Sequence, residues 1–361
     1  MEIKKAKLSS PLLSIAAFII IIAAAMYAEA IISPLLMAIF ISIICAQAVR
    51  WLKKKKVPDG LAVTIVVLLI LGFYVGLFEL ISTSLSLFIQ DAPKYQESLQ
   101  ETRESFRQFL ADRGMGGAII GEQGSIDPAR IMEFTKQVVA NLRQMISEEL
   151  TFILLTIFLV AEIKSINLKM EVISKYSSTS MDYFKSIDHN IRHYLSIKTI
   201  TSMATGILVG ISLALIGVDY PVLWGFLAFL LNYIPTIGSF IAAIPAVLFS
   251  ILALGFPTTF LTIGAYVIIN FSIGSVLEPK ILGRGLGLST FVVFFGLIFW
   301  GFTFGYVGMF LSVPIMMVIK IILEKNPKTK WVAAMLGTES DAKEMLKPED
   351  PIPPEPPGEG L

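Results

Sequence analysis

Charge is scarce in this sequence. Only 16% of its 361 residues are Asp, Glu, Lys or Arg, against about a quarter in soluble domains. Between Val222 and Leu277 there is none at all. Cysteine is nearly missing too: Cys45 is single and lies in an apolar run, so no disulfide can form within the chain. Histidine is limited to His189 and His193, four residues apart on a polar helix face, with no third His and no neighbouring Cys to complete a metal set. HExxH is absent, and no nucleophile sits in a recognisable motif. These absences argue against an enzyme. A net charge of +1 provides no basic field for nucleic acid.

What the chain has in plenty is apolar length. Hydrophobic residues make up 55%, and the mean hydropathy is +0.75. A bilayer core needs about 20 apolar residues per helix. Spans are predicted at 11–28, 33–49, 61–82, 150–166, 197–216 and 257–275, with two longer apolar stretches at 222–254 and 290–323. Lys4, Lys5 and Lys7 before the first run, with Ala28-Glu29-Ala30 after it, imitate a signal peptide. Because further spans follow at once, the run is read as an uncleaved first span.

Basic loops orient the chain. RWLKKKKVPDG (50–60) carries Arg50 and Lys53 to Lys56, and is placed in the cytoplasm with the N-terminus. The segment 83–149 then lies outside, and 163–196 returns inside. In the outer segment, Asp127-Pro128 opens a helix through Ile131, Phe134, Val138, Leu142 and Ile146, and Tyr95, Leu99, Phe106 and Leu110 mark a partner helix. GMGGAIIGEQG (114–124) is the turn between them. Residues 181–196 read as an interfacial amphipathic helix, with Tyr183, Phe184, Ile187, Ile191, Tyr194 and Leu195 along one side. The tail 347–361 is Pro-rich and is expected to be extended or disordered.

Parity then decides the two long stretches. The span 197–216 exits outside at GVDYP, and the span 257–275 must end inside, where Glu278, Lys280 and Arg284 follow. The stretch 222–254 therefore starts and finishes outside, as helix 222–233, turn 234–239 and helix 240–254. By the same logic 290–323 starts and finishes inside, between GRGLGLS and Lys320, Lys325, Lys328 and Lys330, with its break near GFTFGYVG (301–308). A span and a hairpin, followed by a span and a hairpin of the opposite sense, form an inverted repeat. That is the plan of secondary transporters, whose sites lie where broken helices meet.

The polar residues at those breaks are the candidate site. Asn232 offers both donors and an acceptor, Pro235 frees carbonyls one turn earlier, Gly238 permits a tight turn, and Thr236 and Ser239 add hydroxyls. Asn270 and Ser272, late in the next span, are candidates for the same cavity, with interhelical bonding the equal alternative. GSVLEPKILGRGLGLS (274–289) is the densest polar motif. Glu278 there is expected at an interface or in a wet vestibule, paired with Lys280 or Arg284 as an inner latch. The glycines of this motif follow no strand and lack Walker spacing, so neither a nucleotide nor any other cofactor is expected. Gly206/Gly210 and Gly301/Gly305 have the small-xxx-small spacing of close helix packing.

The stretches VLWGFLAFLLNYIPTIGSFIAAIPAVL (222–248) and NFSIGSVLEPKILGRGLGLSTFVVFFGLIFWGFTFGYVGMFLSVP (270–314) closely resemble the autoinducer-2 exporter family of bacterial membrane proteins. The shared patterns are N-x-I-P-x-I-G, E-P-x-I-x-G-x-x-L-G-L-S and W-G-x-x-x-G-x-x-G-M before a Pro. The first 221 residues match in layout, including Y-L-x-x-K at Tyr194 and Lys198, whereas the Pro-rich tail departs from the pattern. The resemblance carries over to Asn232, Pro235, Gly238, Glu278, Pro279, Gly283 and Gly285. It implies a transporter of the cytoplasmic membrane and a homo-oligomer, with a pentamer as one form. Known members export autoinducer-2, and others act as sodium or lithium/proton antiporters.

The sequence thus leads to an all-α membrane protein with about six full spans, two oppositely oriented re-entrant hairpins and a small extracytoplasmic helical domain. Its regions are a scaffold (1–82), an outer domain (83–149), a fourth span with an amphipathic helix (150–196), a transport core (197–323) and a cytoplasmic tail (324–361). The leading function is export of a small polar solute such as autoinducer-2 by alternating access, through Asn232, Pro235, Thr236, Gly238, Ser239, Asn270 and Ser272. Glu278, Pro279, Lys280, Gly283, Arg284 and Gly285 serve as gate or coupling residues. The expected partners are membrane lipid, the solute, Na+ or H+, and further copies of the chain. A cation/proton antiporter and a non-transporting scaffold or receptor are the alternatives.

Overall fold

The computed structural model describes residues 11–112, 150–176, 178–282 and 287–345, together with residues 133, 137 and 140. Among these residues there is helix and no strand. In chain order the helices are α1 (Pro11–Tyr27), α2 (Glu29–Lys54), α3 (Asp59–Asp112), α4 (Leu150–Tyr176), α5 (Ser178–Ile216), α6 (Pro221–Leu231) and α7 (Gly238–Asn270). A π-helical segment (Phe271–Leu277) leads into α8 (Glu278–Leu282), followed by α9 (Thr290–Lys325), α10 (Lys330–Leu336) and α11 (Glu339–Met345).

Two predicted boundaries shift. Helix α3 runs unbroken from its apolar part into residues 95–112, so Tyr95, Leu99, Phe106 and Leu110 continue that helix rather than start a separate one. Hydropathy falls after Ser84, but YQESLQETRESFRQFLAD is rich in good helix formers and has no glycine. A drop in hydropathy marks a change of solvent, not the end of a helix. For the same reason 181–196 and 197–216 merge into α5, which has no Gly or Pro before Gly206. The 114–124 turn, the Pro-rich tail and nearly all of the helix predicted after Asp127 lie outside the described residues.

Among the described residues, five stretches are long and apolar enough to cross a membrane: Glu29–Lys54, Asp59–Ser84, Phe184–Ile216, Ala253–Leu282 and Thr290–Lys325. Four shorter apolar helices accompany them: Ala16–Tyr27, Thr151–Glu162, Pro221–Leu231 and Gly238–Ile251. Thr290–Lys325 is not one straight crossing. Backbone torsions leave the helical region at Phe304 and Gly305 (φ +58°). A Cβ on Gly296 would lie 2.8 Å from Met316 Cγ, and one on Gly301 would lie 2.9 Å from Met309 Cγ. Residues 290–303 and 306–325 are therefore antiparallel arms that meet at a tip.

The chain also doubles back before this. After α6, Pro235 cannot donate a backbone hydrogen bond, so the helix stops, and Thr236 adopts φ +60°. Gly238 then passes so close to Leu231 that a Cβ would overlap the Leu231 carbonyl oxygen. Helix α7 bends again at Gly255 (φ +77°). There Thr262 Oγ1 donates to Ser250 Oγ at 3.1 Å, across the two arms. Gly206, Gly210 and Gly225 bring α5 and α6 into backbone contact: a Cβ on Gly225 would lie 2.6 Å from the Gly206 carbonyl oxygen. Close packing is thus the role of the first predicted small-residue pair. Gly305 of the second pair makes the turn instead.

Cross-element bonds sort the elements into two ends. Tyr220 Oη donates to Asp91 Oδ2 at 2.9 Å, so the loop before α6 lies with the extension of α3. At the opposite end, Ser196 Oγ donates to Gln47 Oε1 at 2.7 Å, beside the basic loop that follows α2. The first hairpin opens at the Asp91 end, and its tip descends toward the Gln47 end. The second opens at Ser289 and Lys320, and its tip reaches Glu29, whose Oε1 lies 3.0 Å from a Cβ position on Gly305. The two run side by side. One apolar core holds Tyr233 and Ile234 of the first tip with Leu297, Val307 and Phe310 of the second hairpin.

Candidate functional site

The tip of the first hairpin carries the polar residues that the apolar arms lack. Asn232 is 8% exposed, and its Nδ2 donates to Ser202 Oγ at 3.0 Å. Tyr233 Oη donates to Thr199 Oγ1 at 2.9 Å. The Tyr233 ring is fixed by Phe229, Phe310 and Phe40, with centroids at 5.7, 6.2 and 6.0 Å. The tip is thus docked on α5 by two hydrogen bonds between neutral groups, inside an aromatic collar. Each such bond contributes about 1 kcal/mol when intact, and leaving a buried partner unsatisfied costs about 1–3 kcal/mol.

One turn along α5 sits an ion pair. Lys198 Nζ bridges Glu278 Oε1 at 2.9 Å and Oε2 at 3.0 Å, with side-chain exposures of 6% and 19%. Thr201 Oγ1 adds a long contact to Glu278 Oε2 at 3.4 Å. Lys198, Thr201, Ser202 and Thr205 recur at helical spacing, so one face of α5 carries both the ion pair and the tip's partner. All four are buried. The π-helical turn at Phe271–Leu277 adds a residue to the helical repeat just before Glu278, which resets the face that the carboxylate presents.

The sequence expectations fare unevenly here. Glu278 is paired across the fold with Lys198 and not with Lys280, which is exposed. Local spacing favoured Lys280, but two residues apart on a helix do not face each other. Gly283, Arg284 and Gly285 lie outside the described residues. Pro235 and Ser239 are half-buried, Thr236 is exposed at the turn, and Gly238 is buried. Asn270 is half-buried, Ser272 and Pro279 are exposed, and neither Asn270 nor Ser272 hydrogen-bonds to the tip among the described residues. His189 and His193 are exposed, and the described residues hold no cluster of metal ligands. Sequence reasoning passed over Thr199, Thr201 and Ser202. Their signal was available: K-T-I-T-S-x-x-T (198–205) is a polar stripe at the start of an apolar span.

At the end where α9 opens, a second buried ion pair closes. Lys320 Nζ meets Asp341 Oδ2 at 2.9 Å, and Ser289 N donates to the Leu336 carbonyl at 3.0 Å. The short helices α10 and α11 are thereby tied beneath the second hairpin. Burial alone would raise the pKa of the Asp341 carboxyl, but Lys320 and the Thr338 amide and hydroxyl together hold it below the ordinary value of 3.8.

Chemically, the assembly offers neutral donors and acceptors next to a closed, charged contact. The family model described as AI-2E family transporter matches residues 15–328. The chain is similar to a Haemophilus influenzae protein named "Putative transport protein", 38% identical over 92% of this chain and 97% of that one. It is also similar to Escherichia coli "AI-2 transport protein TqsA", at 33% identity over 88% and 93% of the two chains. A further relative, Escherichia coli "Putative transport protein YhhT", is 31% identical over 90% and 93%. With its several apolar helices and this match along most of its length, the chain is a multi-pass membrane protein and belongs to the AI-2E transporter family.

Proposed function

We propose that this protein is a secondary transporter, not an enzyme, that exports a small neutral polar solute across the cytoplasmic membrane by alternating access. The observation that carries the reading is the docked first tip. Asn232 and Tyr233 bind Ser202 and Thr199 through neutral groups, directly beside the Lys198–Glu278 pair. A hydroxylated solute replaces such bonds one for one, whereas a bare cation does not satisfy donors such as Asn232 Nδ2. In this reading both hairpins are re-entrant, N- and C-termini are cytoplasmic, and the Lys198–Glu278 contact is the inner gate that opens when the first tip lifts from α5. Autoinducer-2, named for the Escherichia coli relative, is the solute to try first. Homo-oligomerisation belongs to the same proposal.

A second reading has an observation of its own. Glu278 is a carboxylate at the edge of an uncharged region, held by a lysine. A sodium or lithium/proton antiporter would use that carboxylate alternately for cation and proton.

The test is uptake into inside-out vesicles of wild type, Asn232→Ala and Glu278→Gln, with labelled autoinducer-2 and, separately, a sodium pulse read by a pH dye. Solute uptake that falls at least tenfold in Asn232→Ala, without a sodium-driven pH change, supports the exporter. A sodium-driven pH change abolished by Glu278→Gln, with no solute uptake, supports the antiporter. Neither activity in wild type would favour a non-transporting scaffold.

A further inference from the structure

Two polar atoms, Ser33 Oγ on α2 and Trp300 Nε1 on the first arm of the second hairpin, are buried without a hydrogen-bond partner among the described residues. Neither belongs to the network at the first tip. Folded proteins rarely leave buried donors unpaired, because the desolvation cost is then uncompensated.

Their positions bring them to one level. Helix α2 packs on α9, and Glu29 at its start meets the tip of the second hairpin at Gly305. Ser33 lies one turn along α2 on the same face as Glu29. Trp300 lies five residues below Gly305 on the first arm. At 1.5 Å per residue both atoms are set roughly 6–8 Å beneath the tip. The indole has little freedom. It stacks on Phe304 with centroids 5.8 Å apart and planes 5° from parallel, and it meets Phe299 edge-on at 5.0 Å. Its N–H therefore has a fixed direction.

We infer that Ser33, Trp300 and Glu29 form a second solute site, at the outward end of the path, for a neutral molecule carrying adjacent hydroxyl or carbonyl oxygens. Trp300 Nε1 only donates, Ser33 both donates and accepts, and the Glu29 carboxylate accepts. A cation finds no use for the indole N–H, and an anion is repelled by Glu29. A polyol or hydroxy-carbonyl compound satisfies all three by giving an oxygen to Trp300 and a hydroxyl proton to Glu29 or Ser33. The inference rests on the transport reading for its place in a path, and it gives that path a station at the second hairpin to match Asn232 at the first.

The experiment uses the full chain in lipid nanodiscs. Tryptophan emission is titrated with autoinducer-2 and, separately, with xylitol, for wild type, Trp300→Phe and Ser33→Ala. The expected result is a saturable emission change in wild type that vanishes in Trp300→Phe. In Ser33→Ala its midpoint rises roughly tenfold, the loss of one hydrogen bond. Ser33→Ala should melt no lower than wild type, because it removes an unpaired polar atom; a purely structural serine would lower the melting temperature and leave the midpoint alone. No saturable change with either probe up to roughly 100 mM, or a change that survives in Trp300→Phe, overturns the site. Solute transport without any Trp300 response overturns this site and leaves the transport reading standing. A Trp300 response without transport does the reverse.

Discussion

The two hairpins use one turning device and line it with different chemistry. In each, a glycine just past the turn lies against a carbonyl seven or eight residues earlier: Gly238 against Leu231, and Gly308 against Trp300. In each, a residue at positive φ makes the corner, Thr236 in the first and Gly305 in the second. The first tip is then polar, with Asn232 and Tyr233 bonded to α5. The second is aromatic, with Trp300 stacked on Phe304 and meeting Phe299. The shared part is backbone geometry, which glycine and a carbonyl determine. The unshared part is where selectivity between solutes has room to arise.

The largest effect should come from breaking what is shared. Gly238→Ala and Gly308→Ala would each drive a Cβ into a backbone carbonyl, which cannot be relieved by a rotamer change. Both should abolish monodisperse folded protein in detergent-exchange chromatography. Gly264→Ala, with nothing within 4 Å of its Cβ position, should behave as wild type. Unequal outcomes for Gly238 and Gly308 would show that the two turns are not equivalent.

Next comes the Lys198–Glu278 contact, on the same helix face as Ser202, the first tip's partner. Lys198→Met or Glu278→Gln alone leaves a buried group without its partner, which typically costs about 3–5 kcal/mol. Lys198→Met combined with Glu278→Leu should recover most of that stability by removing both charges, yet it should not restore gated transport. Thermal unfolding and vesicle uptake measure the two halves of this prediction. A smaller effect is expected at the collar: Tyr233→Phe loses the bond to Thr199 and keeps the ring stack, so its cost should stay near 1 kcal/mol.

The smallest effect concerns the base of the second hairpin. The pKa of Asp341 is depressed in the folded protein. The Lys320–Asp341 tie therefore contributes stability fully above the unfolded value of 3.8, and loses it as pH falls through the lower folded value. Hydrogen exchange over 336–345 should rise only in that acid window. In Asp341→Asn it should be fast at neutral pH already.

Much of this arrangement was legible from residue types. An uncharged run from Val222 to Leu277 interrupted by NYIPTIGS announces a broken helix, because proline and glycine act locally. The fold-backs at 232–238 and 304–305 lie where those breaks were read, whereas the sense that loop parity assigns to each stretch is a matter for labelling. The long helices were less legible. The limits of α3 and α5 were misjudged because amphipathicity and hydropathy report the surroundings of a helix, not its continuity. The partner of Glu278 was out of reach, since Lys198 lies 80 residues away in sequence and only tertiary packing brings the two together. Ser33 and Trp300 could not be singled out from sequence at all: a buried atom without a partner is a property of the packed state.

The central claim is that 222–254 and 290–325 each begin and end on one side of the membrane, and on opposite sides from each other. The lone cysteine makes this simple to test. In a Cys45→Ser background, single cysteines at Val222, Leu254, Thr290 and Lys325 are labelled with a membrane-impermeant maleimide from either face of sealed vesicles. The account predicts that Val222→Cys and Leu254→Cys react only from outside, and that Thr290→Cys and Lys325→Cys react only from the cytoplasmic side. If the two members of either pair react from opposite faces, that segment is a through-going span, and the paired-hairpin account fails.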